Sequence, residues 1–97
     1  MLGWFDAKEA EKFGTALARF FIEKMPPENK MNESKIASKT EYVLGKMTAQ
    51  IKAFKEGQKL NFYKTAKLGN AFRWTLKDAG YEAAYIETLV AWLVAQL

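Results

Sequence analysis

Apolar side chains recur along the chain at helical spacing, and three interruptions divide them into four runs. In the first, Ala10, Phe13, Leu17, Phe20 and Phe21 fall on one face, with Lys8, Glu11, Lys12, Thr15, Arg19 and Glu23 on the other. Asp6 stands where a side-chain cap is needed, and Glu9 three residues later completes a capping box. Pro26 and Pro27 end the run, because proline lacks the amide hydrogen and restricts the residue before it. The second run comprises Ile36, Val43, Leu44, Met47, Ile51 and Phe54, with Thr40 in a small position. Gly45 weakens this helix by roughly 1 kcal/mol relative to alanine, and Gly57 is expected to close it in the left-handed conformation.

Asn61 is placed to cap a third helix with a core face of Phe62, Leu68, Gly69, Phe72, Leu76 and Ala79. Gly80 ends it. The fourth carries Ile86, Leu89, Val90, Leu93 and Leu97 on one side and Tyr81, Tyr85 and Trp92 on nearly the opposite side. Ala84, Ala91 and Ala95 line a strip between them. The pattern predicts an all-α fold, a compact bundle of four helices over about 7–25, 34–56, 62–79 and 82–96, forming one domain across 1–97. Short connections predict antiparallel neighbours, and Leu2, Trp4 and Phe5 read as an apolar strap across the bundle.

Composition supports a single core. Hydrophobic residues make up 49% of the 97 positions, too many for a disordered chain. The apolar stretch from Ala83 to Leu97 is shorter than the 18 or so residues a spanning helix needs, and Glu87 and Thr88 interrupt it, so no membrane span is expected. No basic stretch followed by an apolar run opens the chain, so no secretory signal is expected. With no cysteine, disulfides and thiolate metal sites are excluded, and a cytoplasmic location fits.

The chain also lacks histidine. That removes Ser–His catalysis, imidazole acid–base work and histidine metal ligands. Ser34 and Ser38 lie near a helix start. Asp6 and Asp78 lie at helix ends, no carboxylate pair suggests hydrolysis or a metal cage, and no glycine-rich phosphate loop precedes a Gly-Lys-Ser/Thr. No catalytic residue, cofactor or metal is therefore expected, and the chain reads as a non-enzyme.

Charge adds a candidate surface. From Tyr42 to Lys77 there are eight basic residues against Glu56 alone, a formal +7, while the remainder holds seven basic and ten acidic residues, or −3. Such a field attracts anionic partners. Placed on helices, the lysines of the second helix scatter into two sectors. On the third helix Tyr63, Lys67, Asn70, Trp74 and Lys77 follow one another at spacings of 4, 3, 4 and 3, flanked by Arg73. Aromatic rings between cations suit a contact face; lysines with their charges in water and rings packed under a neighbour are the plainer outcome.

A helix-turn-helix does not fit. The fourth helix, its only candidate for recognition after Gly80, has no Lys or Arg, and Lys52 and Glu56 spoil a unit turning at Gly57. The expectation is a small interaction domain that binds an acidic or amphipathic protein segment, or itself, through Tyr63, Lys67, Asn70, Arg73, Trp74 and Lys77. A helix as apolar as the fourth suggests a homodimer using Tyr85 and Trp92. The alternative is nucleic-acid binding through the same face of the third helix.

Overall fold

The computed structural model describes residues 6–28 and 32–97. Among the described residues four helices form: α1 (Lys8–Lys24), α2 (Glu33–Gly57), α3 (Phe62–Ala79) and α4 (Ala83–Gln96). No strand occurs among the described residues, and the all-α four-helix bundle expected from the periodicity is the architecture observed. The strap of Leu2, Trp4 and Phe5 lies outside the described residues, as does part of the polar connection between α1 and α2.

The caps differ in quality. Asn32 and Asn61 each accept a hydrogen bond from the amide three residues ahead, Lys35 at 2.9 Å and Lys64 at 2.8 Å. At α1 the expected capping box does not form. Ala7 occupies the cap without a side-chain bond, and Asp6 Oδ1 accepts only a long 3.3 Å contact from the Lys8 amide. Asp6 is one residue too early to reach the second or third amide of the helix. Gly57 is not a left-handed terminus either. It belongs to the last turn of α2, and Gln58 follows in an extended conformation. Gly80 does behave as expected, with φ 101° and its amide donating to the carbonyls of Leu76 and Lys77. An L-residue in that conformation costs about 1–2 kcal/mol. Gly80→Ala should lower the unfolding free energy by that amount in a urea titration; an unchanged midpoint would mean the turn relaxes freely.

Successive helices run antiparallel. Phe13 of α1 stacks on Phe54 of α2 with centroids 4.2 Å apart, while Met25 and Ile36 line one groove at the opposite end. Arg73 reaches Glu87 from α3 to α4, and Gly69 faces Val94. Ala10 and Lys64 line one groove near the starts of α1 and α3, and Ile22 and Glu23 share another with Thr75 and Asp78 near their ends, so α1 and α3 are parallel, and these two form the centre of the bundle. A Cβ built on Gly14 would stand 2.3 Å from the Leu68 carbonyl oxygen and 3.2 Å from the Ala71 Cβ. Ala10 and Ala18 lie on the same side of α1, both buried. Small side chains on α1 thus let two backbones approach, and Leu17 and Phe21 fill the space beside Leu68, Phe72 and Leu76.

The other two helices close this pair. α4 contributes Ile86, Leu89, Val90 and Leu93 to the core. Tyr81 fastens its start to α1 by donating its hydroxyl proton to the Met25 carbonyl. Burial pushes the Tyr81 phenol up to about 12, with the neighbouring Tyr85 adding to the shift. α2 is the most weakly embedded element. It buries only Val43, Met47 and Ile51 out of 25 residues, and its last turns are held by the Phe13–Phe54 stack and by Lys55 Nζ donating to the Gln96 carbonyl at 2.9 Å.

Candidate interaction surface

α3 buries Leu68, Gly69, Phe72 and Leu76 against its neighbours. At 100° per residue the opposite arc carries Arg73, Ala66, Lys77, Asn70, Tyr63, Trp74 and Lys67, with Phe62 at the border of the core face. Every residue of the expected stripe therefore falls on the outward side, though not all are equally accessible. Trp74 is 55% exposed; Asn70 and Lys77 are exposed, and Tyr63, Lys67 and Arg73 are half-buried.

The cations of this face are already engaged. Lys77 Nζ lies 4.6 Å from the centroid of the Trp74 ring and Lys67 Nζ lies 5.5 Å from that of Tyr63, distances at which an ammonium is attracted to the ring face. Arg73 makes a two-pronged pair with Glu87, Nε to Oε2 at 2.8 Å and Nη2 to Oε1 at 3.0 Å. Its Nη1 donates to Asn70 Oδ1 at 2.7 Å. The hydrogen bond between them holds the Arg73 guanidinium above its ordinary pKa and the Glu87 carboxyl below its own. The stripe is thus a preorganised surface, with two ring–lysine pairs and one guanidinium fixed by a neighbouring helix.

Phe62 departs from the sequence reading. The periodicity places it on the core face, yet it is 90% exposed. It is the first residue of α3, immediately after the Asn61 cap. Side chains in a helix lean toward its N-terminus, so a ring at that position overhangs the helix end and finds no neighbour to pack under. Its placement straight after an unambiguous cap was the only available signal.

Beside Phe62 an apolar groove of about 290 Å³ runs between α3 and α4. It is lined by Phe62, Ala66, Gly69, Val90 and Val94, with Thr65 and Asn70 at its side and Arg73 in the polar part of the lining. Farther round α4 the alanine strip faces outward. Ala84, Ala91 and Ala95 are exposed, as is Val94. The two residues expected to mediate self-association lie elsewhere on α4. Trp92 is half-buried against the core. Tyr85, 37% exposed, stacks on Tyr81 at 5.8 Å and packs against Phe21 of α1 at 6.3 Å. The aromatic side of α4 therefore meets α1 and not the stripe of α3.

Among the described residues no three His, Cys, Asp or Glu side chains come together as a metal site, and no helix is long and apolar enough to cross a membrane. No protein-family model, curated protein or solved structure matches the chain significantly. The surface must be interpreted from its own geometry, that of a basic and aromatic helix face bordering an apolar groove on a four-helix bundle.

Proposed function

We propose that the protein is a non-enzymatic interaction domain that engages a protein partner through the outward face of α3 and the adjoining strip of α4. The observation that carries this reading is the exposure of two large rings on the same helix, Phe62 at 90% and Trp74 at 55%, about 120° apart around its axis. Large rings held on a rigid helix bring contact area at little cost in side-chain freedom, and Trp, Phe and Arg are enriched at the centres of protein interfaces.

Nucleic acid is the weaker fit for this face. Phosphate binding draws on cations able to turn to the backbone, and base stacking needs open ring faces. Here Arg73 is committed to Glu87, while Lys77 and Lys67 lie over Trp74 and Tyr63. Asp78 adds an exposed acid at the C-terminal end of the helix.

A photo-crosslinking residue at Trp74, compared with one at the exposed Tyr42 of α2, tests the assignment. Expressed in the source cells and irradiated, the Trp74 position should yield discrete protein adducts, to another protein or to a second copy, and the Tyr42 position should not. Adducts to nucleic acid, or equal labelling from both positions, would overturn the reading.

A further inference from the structure

We propose that α2 is a releasable cover, which leaves the bundle as a unit while α1, α3 and α4 stay packed. The contrast in burial points to it. α4 buries four side chains in 14 residues, and α2 buries three in 25. Val43, Met47 and Ile51 are its whole share of a core cluster of fifteen residues among those described. Spaced by four, they form one narrow column along the helix. From Glu33 to Tyr42 no side chain is buried, and Ile36 and Thr40 are half-buried.

The boundary of α2 is loose. A groove of about 510 Å³ lies between Ile36 and the Tyr81–Tyr85 pair, and one of about 350 Å³ lies between Lys52 and Gln96. Along these clefts α2 forgoes packing contacts. Two further contacts hold its last turns, the Phe13–Phe54 stack and the exposed bond from Lys55 Nζ to the Gln96 carbonyl. The helix is also weak in itself. A Cβ at Gly45 would meet nothing within 4 Å, and its φ is not positive. Neither space nor backbone geometry calls for glycine there, and its effect is to weaken the helix relative to alanine.

Release uncovers the column of α2 and the Phe13 ring. It leaves Leu17 and Phe21 of α1 against Leu68, Phe72 and Leu76 of α3. Elements with little burial open at lower free energy than the whole domain. Freed of its neighbours, α2 unwinds at Gly45 and its amides meet solvent. The chain thus has two folded forms, a closed four-helix bundle and an open one with a three-helix core. The exchange between them is independent of the outward face of α3.

Hydrogen exchange of the full chain, resolved by residue, tests the proposal. Relative to their intrinsic rates, the amides of 47–54 should exchange at least about 100-fold faster than those of 17–21 and 68–72. Equal protection in the three segments would overturn it. Met47→Glu places a carboxylate in the buried column. That variant should lose protection in α2 and keep it in α1 and α3; loss in every helix, or retention in α2, would overturn the proposal as a single transition would. Gly45→Ala should slow exchange in 47–54 about fivefold. An unchanged rate there would show exchange without unwinding of α2, and would overturn it too.

Discussion

Gly14→Ala is expected to destabilise the domain by about 2 kcal/mol, and Gly14→Val to leave most of it unfolded. Alanine ordinarily improves a helix interior by about 1 kcal/mol over glycine, so the sign of the effect is itself the test. The added Cβ meets the Leu68 carbonyl oxygen at 2.3 Å, which is backbone and cannot rotate away. α1 and α3 must move apart, and the contacts of Leu17, Phe21, Leu68 and Phe72 between them loosen together. Valine adds two further methyl groups at the same point. A domain of this length has total stability on the order of 5–15 kcal/mol, so the second substitution takes a large share of it. Urea unfolding followed by circular dichroism decides the matter. A Gly14→Ala variant as stable as the wild type would show that the helices have room to separate at no cost.

The second large effect contrasts two phenylalanines of α3. Phe72→Ala should cost about 3–5 kcal/mol, because the ring is fully buried and the surrounding helices collapse only partly into the space left. Phe62→Ala should change stability by no more than about 0.5 kcal/mol. Both substitutions remove the same atoms from the same helix, so the difference between them reports burial alone. Equal losses at the two sites would place Phe62 in the core and remove one of the exposed rings on which the proposed interaction surface rests.

Much of the fold could be read from local chemistry. Pro26 and Pro27, Asn61 and Gly80 mark helix ends by what their own backbones permit, and Leu68, Phe72 and Leu76 declare a core face through spacing alone. What escaped depends on partners distant in sequence. Gly14 shows no sign of which helix it faces, and only the crossing with α3 explains it. Arg73 looked like an available cation because Glu87, its partner, lies on another helix. The outward turn of α4 was ambiguous for a related reason. A helix with apolar residues all round does not reveal which side its neighbours cover, and the side covered includes Trp92 while the alanine strip faces out. Trp74 lies opposite a well-defined core face, but spacing alone left open whether a neighbouring helix covered it; Phe62 was misplaced because the helix ends beneath it.

The parallel pairing at the centre also makes the closest helix contact one between segments distant in sequence. Most helical bundles gain their first stability from neighbours in sequence, which shortens the search and speeds folding. Here α1 finds its closest partner in α3, roughly fifty positions later, and α2, synthesised between them, buries only three side chains. A growing chain therefore displays Leu17 and Phe21 until α3 has been made and left the ribosome.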